Sequence, residues 1–208
     1  MNNLTKRILS SAILLPLVFF FILNGSFLSI FFIITVFFIA AYEWYLMTKN
    51  KFYKIYGFIF LVISFYIFYK ISLNVIEVFF VITICVSTDI GGYLFGKIFK
   101  GPKLTKISPN KTYSGMIGAY FLSFLFVILI VNFTDFHEIS LELFVLIFMI
   151  STASQIGDLI ISYFKRLSKI KNTGKIIPGH GGLLDRIDGM IFAFPIYYAI
   201  NVVGYFFI

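Results

Sequence analysis

The sequence predicts an all-α polytopic transmembrane bundle of about seven spans with its N-terminus on the cytoplasmic side. Hydrophobic residues make up 60% of the chain and charged residues 12%, and the mean hydropathy of +0.99 leaves more apolar surface than a water-soluble domain can bury. The apolar residues fall in runs near the 20 or so helical residues that cross a bilayer core of about 30 Å. Basic residues collect in alternate loops.

Taken in order, the spans are expected near residues 7–23, 26–47, 52–69, 73–95, 114–131, 141–161 and 189–207. Residues 1–26 have the basic start and apolar run of a secretory leader, but no small-x-small cleavage site follows, and they are read as the first helix. Asn24, Gly25 and Ser26 let the chain reverse after it, and the stretch from Lys70 to Asn74 does the same between the third and fourth spans. With the N-terminus inside, 16 of the 17 Lys and Arg residues lie in inner loops, with only Lys70 outside. The loop with Asp135, His137, Glu138 and Glu142 is then an acidic outer loop. The chain is expected to form a single integral membrane domain over residues 1–208, with N-terminal helices over 1–74 and the motif-bearing half over 75–208.

The single cysteine, Cys85, lies in an apolar run and reads as a packing residue. A net charge of +8 follows from the basic inner face, which suits anionic headgroups and phosphates. Nucleic acid is excluded as a partner, since the cations are spread over short loops instead of gathered on a folded module.

The chemistry concentrates between Gln155 and Asp188. This stretch holds Asp158, Asp185 and Asp188, six Lys or Arg residues, and the turn Pro178-Gly179-His180-Gly181-Gly182. Asp158 in the sixth run and Asp89 at the end of the fourth lie in or beside hydrocarbon, where an ionised carboxylate costs roughly 3 kcal/mol unless it has a partner. A lysine or a helix end is the simplest partner for one such residue; several at one boundary ask for more. Asp158, Ser162 and Lys165 fall at i, i+4 and i+7 and share a helix face. Asp185 and Asp188, at i and i+3, share one too if the last helix begins there, with helix capping as the alternative role.

Carboxylates, cations and glycines in this arrangement suit magnesium bridging to phosphates. Lys165, Arg166 and Arg186 would neutralise phosphate oxygens, Gly179, Gly181 and Gly182 would admit close backbone approach, and His180 would bond a phosphate or move a proton. In the preceding basic loop, Ser108, Lys111, Thr112 and Ser114 stand near a helix start that can receive an anion.

These residues carry a resemblance. Ser162-x-x-Lys165-Arg166, then Lys171, Gly174, Pro178 and His180-Gly181-Gly182-x-x-Asp185-Arg186-x-Asp188, resemble the signature of the phosphatidate cytidylyltransferases, the CDP-diacylglycerol synthases. Ser87-Thr88-Asp89-Ile90-Gly91-Gly92-Tyr93 with Gly96-Lys97, and Ser108-Pro109-Asn110-Lys111-Thr112 with Gly115 and Gly118, are similar to two further motifs of that family. The resemblance covers about Asp89 to Gly189. Asn172 stands where the family signature has Asp, and Ser114 where the second motif has Glu.

The resemblance implies magnesium-dependent transfer of CMP from CTP to phosphatidate at the cytoplasmic face, the inner membrane if the source is bacterial, and a homodimer in the bilayer. It implies catalytic roles for Asp158, Lys165, Arg166, His180, Asp185 and Arg186, and substrate contacts for Ser108, Lys111, Ser162, Gly181 and Gly182. Asp158, Asp185, Asp188 and Asp89 would be the metal ligands. Two other readings stand beside it: a catalytically silent homologue, to which the two departures point, and a transporter with an intramembrane cation site. The transporter is disfavoured because carboxylates and bases gather at one face and the outer halves of the helices are apolar. The pattern of the CDP-alcohol phosphatidyltransferases is not found.

Overall fold

The computed structural model describes residues 18, 20, 21, 23, 26–133, 140–174, 176 and 181–202. Of the expected first span only residues 18, 20, 21 and 23 are described; the acidic outer-loop residues Asp135, His137 and Glu138, and the glycine-turn residues Gly179 and His180, lie outside the described residues.

Every regular element among the described residues is helical: α1 Ser26–Met47, α2 Lys51–Ile71, α3 Val75–Phe99, α4 Tyr113–Phe133, α5 Leu141–Leu167, the one-turn α6 Leu184–Ile187, and α7 Met190–Val202. Five of these, α1 to α5, are long and apolar enough to cross a membrane, and α7 is a shorter apolar helix. The chain is thus an all-α polytopic membrane protein. Large side chains such as Phe27, Phe31, Phe38, Ile117 and Leu141 stand exposed along the long helices. Such surfaces are rare on soluble monomers and ordinary against lipid.

Helix α5 continues six residues past the expected end at Ile161, because Ser162 and Lys165 are buried with partners of their own. It stops where Lys169 takes a positive φ of 58°. The Lys169 N–H then reaches Arg166 O at 3.0 Å and the Ile170 N–H reaches Lys165 O at 2.9 Å, the two bonds of a Schellman cap. The last helix, expected from Gly189, begins at Met190, so Asp185 and Asp188 do not open it. Asp185 belongs to α6 and Asp188 is that helix's C-cap.

The chain divides into two compact units. The first lies within Met1–Val75 and Phe164–Asp188 and holds α1, α2, the last turn of α5, and α6. Aromatic residues build its core. Phe37 meets Phe65 edge to face at 5.5 Å, Trp44 meets Phe164 at 4.9 Å, and Tyr53 closes on the same Phe164 ring at 5.5 Å. Trp44 is buried and its indole N–H donates to Lys54 O at 3.3 Å. Its ring fills the space beside Gly57, where a Cβ would collide with it.

The second unit lies within Ile76–Tyr163 and Gly189–Ile208. Here small residues let backbones approach, as membrane helices require when lipid offers no hydrophobic drive for packing. A Cβ on Gly91 of α3 would run into the Gly118 carbonyl of α4, and one on Gly115 would lie 2.7 Å from Gly92 O. Hydrogen bonds join the helices as well, Thr88 with Ser151 at 2.8 Å and Tyr120 with Thr152 at 2.9 Å. Cys85 is buried as a free thiol in α3.

Gly91→Val forces α3 away from α4 and should destabilise the protein by about 1–3 kcal/mol or more. A lowered thermal unfolding midpoint in detergent would show this, and an unchanged midpoint would contradict the close crossing.

Candidate active site

In the second unit, α3 ends in Lys100 and Gly101, both at positive φ (54° and 87°), which turn the chain into the loop before α4. That loop is an ordered reversal. Leu104 N–H donates to Lys111 O at 2.8 Å, Lys111 N–H to Ser108 O at 3.0 Å, and Tyr113 N–H to Pro102 O at 3.1 Å. Thr112 caps α4, its hydroxyl accepting from Gly115 N–H at 3.1 Å. The Ser114 hydroxyl bonds Thr112 and donates to the Lys100 carbonyl. At this position a glutamate would have no proton to give that carbonyl.

The loop delivers Lys111 to α5. Its Nζ lies 2.5 Å from Asp158 Oδ2, and Ser162 Oγ donates to Asp158 Oδ1 at 3.2 Å. Lys111, Asp158 and Ser162 are therefore brought together, with Lys111 and Asp158 about a quarter to a third exposed. Ser108 stands at the turn preceding Lys111. Asp89 is exposed on α3, which runs ten residues beyond it.

In the first unit the signature segment forms a second cluster. Lys165 Nζ donates to Asp185 Oδ1 at 2.8 Å, and both side chains are buried to about 10% exposure. Asp185 Oδ2 accepts from Thr173 N–H at 2.9 Å and Gly182 N–H at 3.1 Å. The Gly182 amide thus goes to a protein carboxylate here. Gly181, at φ +90°, supplies the left-handed residue the turn needs, and a Cβ there would lie 3.0 Å from Asp185 Oδ2 and 3.1 Å from Asn172 Cγ. Arg166 and Arg186 are exposed, with Arg166 Nη1 donating to Ile170 O at 3.4 Å. Asp188 is buried.

Two residues of this cluster escaped the sequence reading. Glu43 of α1 is 1% exposed. Its carboxylate accepts from the Thr173 hydroxyl at 2.8 Å, Leu183 N–H at 2.9 Å and Leu184 N–H at 2.8 Å. Thr173 is buried beside it. The signal for Glu43 was present: it is a carboxylate inside an apolar run, and such a residue asks for a partner just as Asp158 does.

Among the described residues no three His, Cys, Asp or Glu side chains gather so as to hold a metal ion. Asp158 and Asp185 offer the oxygen donors a hard cation prefers, and each carries a lysine ammonium, a monovalent counter-charge, at bonding distance.

Each of the two units thus pairs a carboxylate of an all-α membrane protein with a lysine ammonium. A sequence model described as the cytidylyltransferase family matches residues 52–203, and the chain belongs to that family. Among its relatives, the phosphatidate cytidylyltransferase of Rickettsia bellii is 36% identical over 96% of this chain and 91% of its own length. That of Rickettsia typhi is 34% identical over 97% and 93%. The Staphylococcus aureus (strain COL) protein of the same name is 44% identical over 52% of this chain, and the match spans 42% of its length, less than half.

The two ion pairs differ in burial and therefore in what their loss does. Lys165→Met strands a buried carboxylate and should destabilise by about 3 kcal/mol, whereas Lys111→Met at the half-open pair should change stability by about 1 kcal/mol or less. Thermal unfolding of the two purified variants checks the order. Equal losses would contradict the difference in burial.

Proposed function

We propose that the protein is a phosphatidate cytidylyltransferase: it transfers CMP from CTP to phosphatidate, giving CDP-diacylglycerol and pyrophosphate. The supporting observation is that Lys111–Asp158 and Lys165–Asp185 are both built from the motif residues that resemble this family. The relatives that align over nearly the whole chain bear that name.

In this reaction an anionic phosphate oxygen of the lipid forms a bond to the α-phosphorus of CTP, and the bond from that phosphorus to the bridging oxygen of pyrophosphate breaks. Phosphatidate arrives with the reacting oxygen already deprotonated, so no general base is required, and the protein's work is orientation and charge compensation. Lys111 and Lys165 are ammonium groups held in place by carboxylates. Arg166 and Arg186 are exposed fork-shaped donors suited to phosphate oxygens. Asp158 with Asp89, and Asp185 with Asp188, are the carboxylates we propose as ligands for magnesium, which when bound supplies further neutralisation of phosphate charge. Ser108 and Ser162 would seat the headgroup or nucleotide, and His180 remains a candidate phosphate contact. The distribution of Lys and Arg supports the cytoplasmic side of the membrane for this chemistry, and the proposal includes acyl chains left in the bilayer and a homodimer as the assembly.

Detergent-purified protein given CTP and magnesium should release pyrophosphate only when phosphatidate is added. Asp158→Asn should lower kcat at least about 100-fold with little change in the unfolding midpoint. Pyrophosphate release independent of phosphatidate, or none with well-folded wild type across several lipids and divalent metals, would overturn the assignment and favour a silent homologue.

A further inference from the structure

We propose that Glu43, on a helix outside the signature motifs, is a positioning residue that sets the geometry of the Lys165–Asp185 pair; the catalytic part of this inference rests on the transferase reading above. Glu43 and Asp185 hold the same two points of the backbone, Thr173 and residues 182–184, from two directions. At Thr173 the hydroxyl goes to Glu43 and the backbone N–H to Asp185. At the other end, Gly182 N–H goes to Asp185, while the next two amides, of Leu183 and Leu184, go to Glu43. Among the described residues, the three groups hydrogen-bonded to Glu43 are all donors, so a carboxylate can accept from every one and an amide of the same shape cannot.

Two glycines of the signature report the same constraint. A Cβ on Gly174 or on Gly182 would collide with the Glu43 carboxylate. At these positions glycine admits the protein's own carboxylate to the backbone. The orientation of Asp185 is thus inherited from α1: moving Glu43 moves Leu183 and Leu184, and with them the first turn of α6 that carries Asp185 and Arg186. Glu43 itself touches no ion-pair atom in this cluster; its effect passes through the backbone.

Glu43→Gln places an amide NH2 against Leu183 N–H or Leu184 N–H, two donors facing each other, whichever way the amide is turned. For the folded variant we expect kcat to fall by about 10- to 100-fold, the range typical of groups that orient a site's ligands. KM for CTP should stay within about threefold, since orientation in the transition state is what is lost. Peptide-level hydrogen exchange over residues 181–187, in detergent and without substrate, should speed by about tenfold or more as those amides lose their acceptor. Thr173→Val removes one donor to the same carboxylate and tests the idea if Glu43→Gln fails to fold; it should lower kcat by about 3- to 10-fold. In the double variant the losses should not multiply, because both substitutions break one arrangement.

Wild-type kcat and exchange in Glu43→Gln, or losses that multiply in the double variant, would overturn the proposal. If Glu43→Gln does not fold, unchanged kcat and exchange in Thr173→Val would do the same. An inactive wild type whose 181–187 exchange is still accelerated by Glu43→Gln would remove the transferase reading and support the Glu43 clamp by itself.

Discussion

A carboxylate withdrawn from water must collect donors, and the backbone at Thr173 and at residues 182–184 meets that requirement twice. Asp185 gathers an ammonium and two backbone amides, and Glu43 gathers a hydroxyl and two more. Without these carboxylates the N–H groups of Thr173, Gly182, Leu183 and Leu184 would lose their acceptors, so backbone and carboxylates satisfy each other. Lys165 is held by the same logic: the Schellman cap closes α5 two residues beyond it, and its ammonium is buried against Asp185. Little in this cluster is left to side-chain freedom.

The second unit reaches a comparable result through packing. The glycines of α3 and α4 let the two backbones meet, and the loop between these helices is pinned by its own amide bonds and by Ser114 on the Lys100 carbonyl. The loop's far end is therefore fixed when Lys111 leaves it for Asp158. Glycines that would suggest phosphate binding by their motif context serve helix approach here, as Gly91, Gly115 and Gly118 do.

Much of this was legible in the sequence, and the misses have physical causes. Apolar runs gave the long helices, and α1 begins and ends at the expected residues. They set the end of α5 too early, because a helix does not end where hydrophobicity falls if its polar face has partners, as Ser162 and Lys165 do. A shared face for Asp185 and Asp188 depends on the last helix beginning there, and it begins at Met190. The break at Gly189, which packs against Ser154 where a Cβ would collide, separates them from α7. The facial pattern of Asp158 and Ser162 was readable from spacing alone, whereas their link to Lys111 depends on how a loop reverses. Glu43 is marked as a carboxylate inside an apolar run, but its donors lie about 130 to 141 positions further along, and no local pattern identifies them.

The central claim, that this framework serves nucleotidyl transfer to a lipid phosphate, is tested most directly by following the label from CTP carrying phosphorus-32 at either the α or the γ position, with phosphatidate vesicles and reconstituted protein. The α-label should enter the lipid fraction and the γ-label should leave in pyrophosphate. Transfer of the γ-label to lipid, or retention of both labels in nucleotide by folded protein, would contradict that claim.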